Sequence, residues 1–249
     1  MKKLISVILA AAFLLVMMLP ASATTITDDD NVQLVSAPVF RSADFNYDQA
    51  AATDSAKMAQ AQLMLASRPE LAQSSSTWIT LSSTYIMAGQ IYRNYCVPAS
   101  IRSALGYNNG GLSNAPSQST IAAALGTGPA GSTVGTPFDL NTLAYVNDKN
   151  QSGFDYAWHE GSTSSLSDVQ TRIHISLNLY DMPPILWVIT TEDSEWDIDY
   201  NHVVTAYKIQ SDKTYIGIGD PWPMFAREGS TFYTISAKGV YDGLVAMMW

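Results

Sequence analysis

Gln90-Ile-Tyr-Arg-Asn-Tyr-Cys96-Val-Pro-Ala-Ser100 carries the one cysteine in a chain of 249 residues. Pro98 suits the first turn of a helix, where a missing N–H costs nothing. The Ala-Ser-Ile-Arg-Ser-Ala-Leu that follows continues that helix to Leu105, with Gly106 just past its end. The sulfur therefore stands at the mouth of a helix rather than on its core face. A thiol there meets the positive end of the backbone dipole, which favours the thiolate, the attacking species. Six residues upstream, Gln90 offers an amide to a developing oxyanion, together with the backbone N–H of Cys96. These neighbours point to a nucleophile, against the common fate of a lone cysteine as a small buried hydrophobe.

A cysteine nucleophile needs a base. His202 opens the run Val203-Val-Thr-Ala-Tyr207, a strand that follows a loop, so its ring can face a cleft while a rigid sheet holds it. It is preferred to His159, which ends a short strand before Glu160-Gly161, and to His174, which lies inside a helical pattern beside Ile173 and Ile175. Asp220 is the third candidate. If Val203–Ile209 and Thr214–Gly219 pair across the turn 210–213, residue 209 faces 214 and His202 comes within about one residue of opposing Asp220. A one-residue change of register decides whether the two share a face. The role of Asp220 would be to bind one ring N–H and leave the other nitrogen toward sulfur; otherwise it merely begins the turn Asp220-Pro221.

The rest of the chain reads as helices first and an antiparallel sheet second, an α+β pattern. Ala50 to Ala66 is helical, with Asp54 or Ser55 as cap. Ser117 caps a helix over Gln118–Leu125, and Gly126 to Gly135 is a glycine-rich surface loop. Thr136-Pro137 opens a helix to Asn147. Ser165 or Ser167 caps another to Tyr180, whose Val169, Ile173, Leu177 and Tyr180 form an inward face. Strands are expected at Trp78–Ser82, Asp155–Trp158, Ile185–Ile189, Phe232–Ile235 and Leu244–Met248, besides the hairpin.

The N-terminus has the form of an export signal: Lys2 and Lys3, an apolar run Leu4–Leu19, then Ala21-Ser22-Ala23, with cleavage expected after Ala23. Residues 24–76 form an arm or pro-segment ending in the linker Gln73–Thr77, and residues 77–249 the main domain. With the signal removed, 11 basic and 22 acidic residues remain, a net charge of −11. That charge argues against nucleic acid and anionic lipid as partners. No later stretch is apolar and long enough to span a bilayer, so membrane association ends with signal cleavage. A single cysteine in an exported chain is a free thiol or an intermolecular link. No His-Glu-x-x-His or Gly-x-Ser-x-Gly is present, and no cofactor or metal is expected.

Four features taken together resemble the papain-like cysteine peptidases, and within them the bacterial C39-like peptidases: Gln90 six residues before Cys96; Asn94-Tyr-Cys-Val-Pro-Ala-Ser100; Asn201-His-Val-Val-Thr-Ala-Tyr207; and Gly219-Asp-Pro221. The resemblance covers about Trp78 to Trp249. It implies a helix carrying the cysteine packed on an antiparallel sheet carrying the histidine and aspartate. It also implies peptide-bond hydrolysis through an acyl-thioenzyme: Cys96 attacks, His202 acts as base then acid, Asp220 orients, and Gln90 stabilises the oxyanion. Val97 departs from the glycine that many relatives have after the cysteine. Leader trimming by transporter-fused members does not carry over. The resulting expectation is a secreted cysteine peptidase acting on a peptide or protein. The alternatives are an inactive papain-like binding domain, using aromatic residues such as Tyr92, Tyr95, Trp196, Tyr200 and Trp222, and a Cys-His-Asp acyl transferase or cell-wall amidase. Oligomeric state is not legible.

Overall fold

The computed structural model describes residues 39–69, 77–129, 135–191, 194–196, 200–222 and 231–249. The signal segment, the start of the arm and most of the linker 73–77 lie outside the described residues, as do parts of the glycine-rich loop and of the acidic stretch between 190 and 201.

The sheet is built on β6 (Tyr200–Gln210), whose β-branched and aromatic residues (Val203, Val204, Thr205, Tyr207, Ile209) and continuous burial from His202 to Ala206 suit a long central strand. β5 (Ile185–Thr190) lies antiparallel to its first half, and β2 (Trp78–Thr80) to its last three residues. β7 (Tyr215–Gly219) pairs along the other edge of β6, and β8 (Phe232–Ser236) pairs with β7. Beyond β5 come β9 (Leu244–Met248) and β4 (Trp158–Glu160), giving the order β4-β9-β5-β6-β7-β8. The expected hairpin is present in a shifted register. Thr205 faces Gly219 and Ala206 faces Ile218; Tyr207 then bulges out, and Lys208 faces Gly217 and Ile209 faces Ile216. The turn reaches one residue further than expected, with Lys213 at φ 64° in the left-handed region.

α2 (Cys96–Asn108) packs on β6 and β5, and α5 (Leu166–Asn178) packs on β6 and β2. This is the α+β arrangement the sequence implied, with the cysteine's helix against the histidine's strand. α2 runs past Leu105, and Gly106 lies within it. The reason is close approach: a Cβ there would sit 2.6 Å from Leu112 Cδ2 and 3.2 Å from Leu112 Cα. α3 (Gln118–Leu125) is capped by the Ser117 side chain and stops at Gly126, φ 66°. Ser165 and Asp168 form a capping box on α5, and Val169, Ile173, Leu177 and Tyr180 are all buried.

Two expectations are corrected. Thr136-Pro137 does not open a helix; it forms the short strand β3, parallel to β1 (Val39–Phe40). α4 (Leu140–Lys149) starts later because the Asp139 carboxylate accepts from both Asn141 N and Thr142 N, a better cap than Thr136. The first helix, α1, spans Tyr47–Ser67 and is capped by Asn46, whose side chain accepts from Gln49 N at 2.9 Å. Asp54 is thereby freed for a tertiary role. Arg172 grips its carboxylate through Nε (2.8 Å) and Nη2 (2.6 Å), and the Trp249 indole donates at 2.7 Å. One turn on, buried Lys57 donates to the carbonyls of Asp155 (2.5 Å) and Trp249 (2.6 Å). Burial holds Lys57 down to a pKa of about 7. The remaining helix, α6 (Ala237–Gly243), links β8 to β9. Among the described residues no helix is long and apolar enough to cross a membrane.

Candidate active site

Cys96 is the first residue of α2 and is almost wholly buried. The first helical hydrogen bond runs from Ala99 N to Tyr95 O, and Pro98 has no N–H. The N–H groups of Cys96 and Val97 are therefore the two donors that the helix itself leaves unclaimed at its mouth. The Ser100 hydroxyl, one turn further, donates to Val203 O at 2.8 Å and fastens α2 to β6 beside His202.

His202 and Asp220 are 1% and 0% exposed, and His202 Nε2 lies 2.9 Å from Asp220 Oδ1. Extending the register of β6 and β7 puts them diagonal to one another, a two-residue offset that keeps both on one face. The Cys96 side chain is close enough to His202 to help raise its pKa; with Nε2 on Asp220, Nδ1 is the nitrogen left for sulfur. Burial opposes charge on the imidazole, but the charge and hydrogen bond of Asp220, helped by Cys96, outweigh it and raise His202 to about 10. Asp220 Oδ1 also accepts from Trp222 N (2.8 Å), and Oδ2 accepts from the Tyr233 hydroxyl (2.9 Å). The Tyr200 ring packs on the His202 ring, centroids 4.8 Å apart. Burial, then the charge of Asp220, pushes both tyrosines well above the usual phenol range, so they remain protonated.

Gln90 is drawn to the same place by its backbone, which donates to Pro221 O at 2.8 Å. Its side chain is committed elsewhere: Nε2 donates to Tyr92 O and Arg93 O, both at 3.0 Å, while buried Oε1 has no partner among the described residues. Two residues to which the sequence assigned no role hold this segment: Gln118, and Asn94 at the head of the Cys96 motif. Buried Gln118 brackets Gln90, donating to Gly89 O (2.7 Å) and accepting from Ile91 N (3.1 Å). Buried Asn94 donates to Gly128 O and Pro129 O. A polar side chain in the first turn of an amphipathic helix, as Gln118 is, was the available signal.

The other histidines lie apart. His159 is on β4, three strands from β6, or roughly 14 Å at ordinary strand spacing; its Nδ1 pairs with Asp54 Oδ2 at 3.1 Å. His174 is on α5, where burial and Lys213 lower its pKa to about 4. Val97 is fully buried in the core. Of the aromatic residues considered for binding, Tyr95, Trp196, Tyr200 and Trp222 are buried, whereas Tyr92 is 43% exposed. Among the described residues no group of three or more histidine, cysteine or acidic side chains is placed to hold a metal ion.

The chain belongs to the Peptidase_C39 like family, whose model matches residues 73–242. Among solved structures it is similar to the peptidase domain of Streptococcus ComA, described as a bi-functional ABC transporter involved in a quorum sensing pathway. That match has 17% identity, covers 67% of this chain and 97% of the other, and has a TM-score of 0.44. No curated protein matches the sequence.

Proposed function

We propose that the protein is a cysteine peptidase with Cys96 as nucleophile, His202 as base and acid, and Asp220 as the group that orients the imidazole. The observation that carries this reading is the burial of His202 with its Nε2 2.9 Å from Asp220 Oδ1 and Cys96 close enough to help raise its pKa. Membership of a peptidase family supports the reaction class.

In this reading His202, raised to about 10, already holds the proton of the pair at neutral pH, and the Cys96 sulfur bonds as a thiolate to the carbonyl carbon of a peptide. Negative charge gathers on the carbonyl oxygen, within reach of the Cys96 N–H at the positive end of α2. Gln90 joins as a second donor by giving up one of its bonds to Tyr92 O or Arg93 O. The C–N bond then breaks, the amine takes the proton from His202, and a thioester remains. Water, deprotonated by His202, attacks the thioester, releases the acid and restores the thiol. The reading includes export through residues 1–23, checked by N-terminal sequencing of the secreted protein for Thr24.

A peptide bearing a thiol-directed electrophile tests the site. Labelling of the wild type, lost in Cys96→Ala and strongly slowed in His202→Ala, is expected. Labelling of His202→Ala at the wild-type rate at neutral pH overturns the role of His202. Mass spectrometry of a peptide library incubated with the protein then reads hydrolysis directly, and separates it from acyl transfer to added amines.

A further inference from the structure

We infer that Tyr233 is a positioning residue: its hydroxyl locks the rotation of the Asp220 carboxylate, and through it the aim of the His202 ring. The inference rests on the proposed pairing of Cys96, His202 and Asp220. Asp220 is fully buried, so its carboxylate must be satisfied by protein donors. Oδ1 carries His202 Nε2 and Trp222 N, at 2.9 and 2.8 Å. Both bonds act on one oxygen, and an aspartate's terminal torsion is soft. Oδ2 is held by the Tyr233 hydroxyl at 2.9 Å. That contact converts a one-point hold into a two-point hold on opposite sides of the torsion.

Tyr233 is itself fixed. It lies on β8 opposite Ile218 of β7, and the Asp220 backbone N donates to Thr231 O just before β8. Its ring meets the Trp196 ring edge-on at 6.2 Å, and the Trp196 indole is pinned to Gly239 O at 2.9 Å. The phenol therefore reaches the carboxylate from an element that carries none of the other site residues. A phenylalanine would keep the packing and lose the hydroxyl alone.

The test compares wild type, Tyr233→Phe and Asp220→Asn by the rate of Cys96 alkylation by iodoacetamide across pH 5 to 11, with thermal melting alongside. Alkylation reads the sulfur and imidazole without a peptide substrate, so it stays informative if the chain proves not to hydrolyse peptides. Tyr233→Phe is expected to lower the neutral-pH rate by about tenfold, as for loss of a hydrogen bond to a charged group, and to displace the alkaline limb of the profile. If peptide hydrolysis is present, kcat falls with KM nearly unchanged. A tyrosine analogue carrying an aromatic amine at 233, introduced by stop-codon suppression, keeps a donor and restores the rate. Superimposable profiles for wild type and Tyr233→Phe at equal melting temperature overturn the inference. Failure of Tyr233→Phe to fold, with no recovery of the rate in the amine analogue, also overturns it. A wild type that hydrolyses no peptide but shows the displaced limb in Tyr233→Phe refutes the peptidase reading and leaves the positioning role standing.

Discussion

The Ser100 hydroxyl donates to the backbone carbonyl of Val203 at 2.8 Å, with both residues fully buried. Ser100 is one turn below Cys96 and Val203 is the neighbour of His202, so this bond ties the helix that carries Cys96 to the strand that carries His202. Ser100→Ala leaves a buried carbonyl without its donor and is expected to destabilise by about 1–3 kcal/mol. The alkylation rate of Cys96 should fall as well, because the gap between α2 and β6 is no longer fixed. Thermal melting and iodoacetamide kinetics check both; a change in melting temperature alone would make the bond purely structural.

Asp220→Asn removes the charge that raises His202 to about 10. The alkaline limb of Cys96 alkylation is expected to move down toward the ordinary histidine value of about 6.5. Stability follows with a definite sign. The folded pKa of His202 lies above its unfolded value, so its contribution is complete below about pH 6.5 and disappears as pH rises through about 10. Denaturant titrations at pH 6, 8 and 10 should show this loss in wild type and a much weaker one in Asp220→Asn.

Gly219 is confined by its neighbours. A Cβ there would stand 2.9 Å from Thr205 Oγ1 and 3.1 Å from Tyr85 Cε1, the two side chains joined by a 2.7 Å hydrogen bond. Gly219→Ala must push them apart immediately before Asp220. A loss of about 1–3 kcal/mol is expected, of the kind overpacking produces, with slower Cys96 alkylation. Urea denaturation and alkylation rates check it.

The Asp54 carboxylate is held at a pKa of about 2: burial opposes this, but the hydrogen bonds and charges of His159 and Arg172 prevail. A lowered carboxylate stabilises above its unfolded value near 3.8 and loses that contribution as pH falls through about 2. Asp54→Asn strands a mostly buried Arg172 and is expected to cost about 2–4 kcal/mol at neutral pH. Melting curves should show the gap between variant and wild type closing between pH 4 and 2.

What was legible in the sequence was local. Pro98, Ser117 and Ser165 announced helix starts through caps and first-turn chemistry, and the run Val203-Val-Thr-Ala-Tyr207 announced the strand that carries His202. At the turn the register is two residues off, because the hairpin loop is longer than its sequence suggested; the bulge at Tyr207, which has no local signal, takes one residue back and leaves the register near the site one residue off. Gly106 carried the right residue type for a helix end, but Leu112 lies against it and the helix continues. Tyr233 and Gln118 belong to no motif, and their roles arise from where β8 and α3 come to rest. The bidentate hold of Arg172 on Asp54 joins residues 118 positions apart, a distance at which pattern reading has no purchase.

Those long-range ties also govern when Cys96, His202 and Asp220 come together. Cys96 is made early in translation, His202 and Asp220 much later, and the Asp54 hold is complete only once Trp249 is joined to the chain. Contacts this distant in sequence form slowly. A nascent or unfolded chain thus carries a cysteine of ordinary reactivity, and the assembled centre arises only in the folded protein.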